Sequence, residues 1–439
     1  MPGKLFLLFL CLSTGMAVAQ IPDKAKLDRY FDALEKNNKF MGSASLIQNG
    51  KTVYSRSVGF ADIETAKKAD ENTKYRIGSI SKTFTSAMVF KAIDDKKLQL
   101  TDKLEKYFPD IANAGKISIG DLLSHRSGIH NFTDDQDYRT WNTTPKSSAE
   151  MIEVIKKGGS DFEPGSKAAY SNSNYVLLSF ILERIYKKTY AEILSDKIIK
   201  PAGLKNTYYG GKIDPAKNEA TSYNWNGKWE KWTETDMSVP MGAGAVASTP
   251  ADLSKFMEAL FAGKIISAAS LEQMKTIRDN YGMGLFKFPF NNKTSFGHTG
   301  GIDGFSSMLG YFPEDGLTMA ITSNGSNYED NNIALAMLSW YYNIAFEVPE
   351  FKSYAHTTEE LSKFVGNYAS AGFPLQVLIT LNGSTLMAQA TGQSAFPLEG
   401  NAKNIFGFVP ANLTLEFKPE SSQMILKQGG GVYTFDKVK

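Results

Sequence analysis

Strand-like runs sit at both ends of the first 346 residues with helical patterning between them, an order that few architectures accommodate. Two extended runs, 44–48 and 52–58, flank Asn49-Gly50, a dipeptide that closes two-residue hairpins. Three more follow at 294–299, 306–312 and 317–323. Helices are predicted at 24–37, 119–124, 175–190 and 331–346, with Asn172, Ser173 or Asn174 available to cap the third. Thr249-Pro250-Ala251-Asp252 combines an N-cap, a proline at the first helical position and an acidic first turn, which predicts a helix over 250–261. The expected fold class is α/β of the α+β kind: an antiparallel sheet shared by both ends, flanked by helices, plus an all-helical region. From Phe364 the pattern changes to short strands, with a hairpin at Asn382-Gly383 and runs at 413–418, 422–428 and 432–437. This predicts a small C-terminal all-β domain, a barrel or sandwich. The expected division is 1–19, 20–350 and 356–439.

The first segment reads as an export signal: Lys4, an apolar run over 5–12, then Ala17-Val18-Ala19. The expected location is therefore periplasmic or secreted. The run is far shorter than the ~20 residues a membrane-spanning helix needs, and no later stretch qualifies, so no transmembrane segment is expected. Cys11, the only cysteine, lies inside this signal, so the mature chain carries no thiol for disulfides, catalysis or metal binding. A formal net charge of +2 with interspersed signs leaves no electrostatic footprint for nucleic acid or an anionic membrane.

Tyr75 to Phe84 contains Ser79-x-x-Lys82 at a predicted helix start. Ile80, Phe84, Met88, Val89 and Ile93 recur at helical spacing, so Ser79 and Lys82 share a face and their side chains can meet. A serine hydroxyl needs a base, and a lysine serves only when neutral, which requires burial or cationic neighbours. The pattern is cheap: roughly one or two matches arise by chance in a chain this long. Alone, Ser79 reads first as an N-cap and Lys82 as a solvated helix residue.

Tyr170-Ser171-Asn172 follows the turn-forming Pro164-Gly165; in an extended segment Tyr170 and Asn172 project to one side, a phenol to relay protons and an amide to orient a carbonyl. The same Tyr-x-Asn spacing at Tyr341 reads as core packing. His298-Thr299-Gly300-Gly301 leaves a strand-like run, where glycines admit a substrate to the backbone and free N–H groups can meet an acyl oxygen. His125 and His130 are read as loop organisers. The aromatic segment 205–237, with a second hairpin signal at Asn226-Gly227, is read first as an aromatic-pinned surface hairpin and second as a binding wall.

Ser79-x-x-Lys82, Tyr170-x-Asn172 and His298-Thr299-Gly300, in that order, resemble the three motifs of the penicillin-recognising serine hydrolases, in the class C β-lactamase and DD-peptidase branch. Leu122 to Ile129, Phe162-Glu163-Pro164-Gly165 and Gly242-Ala243-Gly244 are similar to that family as well, and the resemblance covers residues 25–346. It implies a site between sheet and helical region. Ser79 would be acylated, Lys82 and Tyr170 would share proton transfer, Asn172, His298, Thr299 and Gly301 would contact substrate, and the N–H groups of Ser79 and Gly301 would form an oxyanion hole. His298 stands where the family's β-lactamases usually carry lysine. Histidine titrates near neutrality, so substrate carboxylates are expected to bind more weakly and with a pH dependence.

The leading expectation is an exported hydrolase that forms an acyl-enzyme on a small-molecule or peptide substrate, an ester or a D-peptide, with no metal or cofactor. A class C-like β-lactamase and a penicillin-binding sensor with little turnover are the alternatives, and the oligomeric state is left open. Neither a Gly-x-Ser-x-Gly elbow nor a His-Glu-x-x-His zinc motif occurs.

Overall fold

Asn49 and Gly50 both adopt left-handed backbone, φ 48° and 74°, as a tight hairpin turn requires, and join the antiparallel strands Phe40–Gln48 and Lys51–Val58. The computed structural model describes residues 23–351, 354–393, 395–408, 411, 413–428 and 430–438. The expected export signal, with Cys11, lies outside the described residues.

The hairpin completes a six-stranded sheet in the order Phe286–Phe290, Lys293–Ile302, Phe305–Phe312, Leu317–Ser326, Phe40–Gln48, Lys51–Val58. Phe40–Gln48 is thus an interior strand, paired with Leu317–Ser326 from Phe40↔Ser326 to Gln48↔Leu317. Helices Ala25–Lys36 and Asp330–Tyr341 cover one face through Leu27, Phe31, Ile333, Met337 and Trp340. Helix Pro250–Phe261 covers the other, with Phe256 and Leu260 against Leu309 and Ala320. Each such side chain contributes roughly 1.5–3 kcal/mol by leaving water. Asp330–Tyr341 stops short of the predicted 346, because Asn343 turns left-handed at φ 55°.

Helix Ser81–Asp94 is buried on all sides from Ser81 to Phe90, so its apolar periodicity understates its burial. Its polar side chains are satisfied from every direction. Thr83 donates to the Gly284 carbonyl at 2.9 Å, Thr85 to that of Gly242 at 2.7 Å, and Ser81 Oγ accepts from Val246 N–H at 3.0 Å. Phe84 stacks on Phe256 with ring centroids 3.8 Å apart, joining this helix to helix Pro250–Phe261 that covers the sheet.

The third predicted helix runs Asn172–Tyr186, earlier than expected, and its N-cap, Ser171, makes no side-chain cap bond. The three residues expected to cap it are engaged elsewhere: Asn172 with Lys82, Ser173 with the His130 carbonyl, and Asn174 with the Ser127 hydroxyl. The predicted C-terminal strands form a nine-stranded antiparallel, barrel-like sheet with its own core around Phe364, Ile379, Leu415 and Phe435. Glu399 links it to the rest by accepting from Lys39 and from Asn327 Nδ2.

Candidate active site

Ser79 lies in the single turn Gly78–Ile80 that leads into helix Ser81–Asp94, and its side chain caps neither element. Gly78 has φ +49°, and a Cβ there would fall 2.7 Å from the Gly301 nitrogen. A Cβ on Gly300 would fall 2.0 Å from the Ile77 carbonyl oxygen. Glycine at both positions lets the turn press against the end of strand Lys293–Ile302, bringing the Ser79 and Gly301 backbones to one cavity.

Lys82 is fully buried, not solvated. Its Nζ is 3.0 Å from Ser79 Oγ, 2.7 Å from Asn172 Oδ1 and 2.8 Å from the Ala243 carbonyl oxygen. The Asn172 amide is oriented by its other bonds: Nδ2 donates to Asn131 Oδ1 at 3.2 Å and to Thr133 Oγ1 at 3.1 Å. Two of the three contacts of Lys82 are therefore obligate acceptors. A neutral amine has two N–H donors and one lone pair, so with both donors used the lone pair faces the Ser79 hydroxyl. Burial, with no ion pair to Lys82 among the described residues, holds its pKa well below the ordinary lysine value. The arrangement can accept a proton from Ser79.

Tyr170 lies beside Ser79 and places its ring 4.8 Å from Lys82 Nζ. Burial raises its pKa, so the phenol keeps its proton at neutral pH. Ser171 is extended as expected, but Asn172 already begins the helix. Tyr170 and Asn172 nevertheless reach Ser79 and Lys82 from opposite sides of that junction. His125, read as a loop organiser, stacks under Tyr170 at 4.5 Å and accepts the Ser171 N–H at 3.1 Å through Nδ1. Burial and nearby Lys82 and His298 keep it neutral.

His298 departs from expectation. It is 2% exposed, and burial, with Lys82 adding repulsion, pushes its pKa down to about 3. Its Nδ1 is 2.5 Å from the Thr299 carbonyl oxygen, and it does not line the cavity. The expected titration near neutrality is corrected: the ring is uncharged there. KM for a carboxylated substrate should consequently show no step between about pH 5 and 8. A KM rise centred near the ordinary histidine value would show that His298 titrates after all.

Thr299 also lies apart from Ser79. It lines a cavity of about 200 Å³ on the sheet face covered by helix Asp330–Tyr341. The strand's period of two puts neighbours on opposite faces, a signal already present in the sequence.

Ser79, Asn172 and Gly301 open into a cavity of about 470 Å³ walled by Phe132, Tyr138 and Trp232. Trp232 comes from the aromatic segment, so that segment is both things expected of it. Trp225 and Trp229 pin the hairpin with rings 4.8 Å apart, while Trp232 forms wall. Behind the cavity, buried Arg76 donates to Asp303 at 2.9 Å and Glu234 at 3.0 Å, and to the carbonyls of Thr235 and Gly211. Asp303 also accepts the Thr235 hydroxyl at 2.6 Å; burial, its largest influence, still raises its pKa. Asn131, Thr133, Asp303 and Arg76 carry no motif in the sequence, since each acts across long loops. Among the described residues no three His, Asp or Glu side chains are grouped to hold a metal ion.

The Beta-lactamase family model matches residues 27–340. A teichoic acid D-alanine hydrolase of Staphylococcus aureus is 26% identical over 313 residues, 70% of this chain and 75% of that protein. A D-amino acid amidase from Ochrobactrum anthropi, solved with D-phenylalanine, superposes with a TM-score of 0.62 at 25% identity, over 73% of this chain and 99% of that one. An octameric penicillin-binding protein homologue from Pyrococcus abyssi shares the fold over 94% of this chain and 99% of its own, with a TM-score of 0.65 at 22% identity. The family match spans the helical region and the six-stranded sheet on which Ser79, Lys82, Tyr170, Asn172 and Gly301 are arranged, and the chain belongs to the Beta-lactamase family of serine hydrolases.

Proposed function

We propose that this chain is an exported hydrolase that cleaves an ester or amide of D-alanine, or of another D-amino acid, through an acyl-enzyme on Ser79. The observation that carries the reading is the Lys82 amine, buried, 3.0 Å from Ser79 Oγ, with its other two contacts both acceptors. Lys82 takes the Ser79 proton as Oγ attacks the substrate carbonyl, and the N–H groups of Ser79 and Gly301 receive the developing oxyanion. Tyr170, beside Ser79 and Lys82, gives its phenolic proton to the departing alcohol or amine and takes one back from the Lys82 ammonium, so the amine is neutral again. Water then attacks the acyl-Ser79 carbonyl and gives a proton to the neutral Lys82 amine, which passes it to Ser79 Oγ as the acid is released. Asn172 holds Lys82 in place. A base contributes typically 10²- to 10⁴-fold and one oxyanion donor about 10²- to 10³-fold, so the roles are shared.

A D-alanyl acyl group fits the names of the Staphylococcus aureus and Ochrobactrum anthropi relatives, and the N-terminal pattern of Lys4, residues 5–12 and Ala17-Val18-Ala19 supports export. The test is a panel of D-alanyl esters, D-alanine amides, D-Ala-D-Ala peptides and β-lactams, quenched early and digested. The acyl mass is expected on the peptide containing Ser79 for D-alanyl compounds, and on none in Ser79→Ala. Fast turnover of β-lactams alone would turn the reading to a β-lactamase; a stable adduct without turnover would turn it to a sensor.

A further inference from the structure

Neither Lys82 nor His298 lines the cavity, so its charge comes from elsewhere. Two charged residues line it, Asp303 and Arg139. Asp303 is already matched by Arg76 from behind and by Thr235. Arg139 makes no ion pair among the described residues; its guanidinium lies over the Trp232 ring, 5.9 Å from the centroid. Stacking on an aromatic face holds the planar group without using its N–H fork, which stays open to a two-oxygen anion.

Resting on the acyl-enzyme reading above, we infer that Arg139, held by Trp232 at the cavity wall, selects substrates bearing an anionic oxygen group beside the scissile bond. Two sources share that chemistry: the terminal carboxylate of a D-peptide, and a phosphate on the alcohol side of a D-alanyl ester. Arg139 then does what His298 does not, and places the anion on the helical-region side of Ser79. Tyr138, next to Arg139 in sequence, and Phe132 form the adjoining apolar wall, while exposed Arg139 meets the anion with a charge-assisted bond at the cavity rim.

The experiment uses four compounds in two matched pairs: D-alanyl-D-alanine and its C-terminal amide, and the D-alanyl esters of glycerol phosphate and of glycerol. The ratio of kcat/KM for the anionic over the neutral member is measured for wild type, Arg139→Ala and Arg139→Lys. Labelling of Ser79 by a neutral fluorophosphonate, and its protection by each compound, reads the same preference without turnover. In the pair that matches the natural substrate, the ratio should fall about 10- to 100-fold in Arg139→Ala, mainly through KM, and part of it should return in Arg139→Lys. Added salt should lower the wild-type ratio and leave that of Arg139→Ala flat. The pair that responds identifies carboxylate or phosphate as the source. A wild-type ratio near one in both pairs, or a ratio unmoved by Arg139→Ala, overturns the assignment while Ser79 still labels. Failure of wild-type Ser79 to label would instead overturn the acyl-enzyme reading.

Discussion

Replacing Lys82 by methionine is expected to lower kcat on a D-alanyl ester by about 10²- to 10⁴-fold, with KM little changed. Methionine keeps most of the buried volume, so the loss reports chemistry and not a cavity. It does leave Asn172 Oδ1 and the Ala243 carbonyl without the donor that now lies at 2.7 and 2.8 Å. Each orphaned acceptor costs about 1–3 kcal/mol, set against relief from burying an amine that lacks a counter-ion. Thermal denaturation run beside the kinetics separates the two effects. Ser79→Ala should lose at least as much activity, and the double variant no more than the worse single one, because nucleophile and base act as a unit. Equal kcat in Lys82→Met and wild type would remove Lys82 from proton transfer and leave Tyr170 as the base.

The second large effect is on stability. Arg76→Met should destabilise the protein by about 3–5 kcal/mol at neutral pH, because it strands a buried carboxylate. Asp303 is 2% exposed in its side chain and Arg76 4%, so solvent replaces little of the lost interaction. Burial already raises the Asp303 pKa despite Arg76, so the native state holds a proton there more readily than the unfolded chain does. A carboxyl of this kind loses stability as pH rises from its unfolded value through its folded one. Removing Arg76 widens that window upward, so Arg76→Met should regain stability on mild acidification. Asp303→Asn in the same chain should restore much of the loss at neutral pH. Urea titrations of the single and double variants at two pH values check this; additive losses would show that Arg76 acts through Glu234 or through packing.

Elements whose signals are local were legible in the sequence. Asn49-Gly50 has the two left-handed residues its hairpin needs, and Thr249 accepts the Asp252 N–H as a cap should. Ser79 and Lys82 meet because three residues make one turn of helix, which needs no knowledge of the rest of the chain. Polar side chains drafted into long-range contacts were misread: Asn172, Ser173 and Asn174 look like caps until Lys82, the His130 carbonyl and Ser127 claim them. Charge state was illegible for the same reason. Whether His298 titrates depends on burial beneath Tyr170 and Phe286, not on its neighbours in sequence. Thr299 is different, since strand alternation alone separates it from His298.

Because Phe40–Gln48 lies between Lys51–Val58 and Leu317–Ser326, the chain's first strand is enclosed only by a strand about 270 residues further along. Contacts of such sequence separation are entropically late, so folding should be slow and should expose an unpaired edge until residues 317–326 arrive. The seam between Gly78 and Gly301 is one of these late contacts. A chain truncated before Gly301 carries Ser79 and Lys82 without the opposing backbone, and is expected to be inactive. Activity is expected to appear only once the sheet closes.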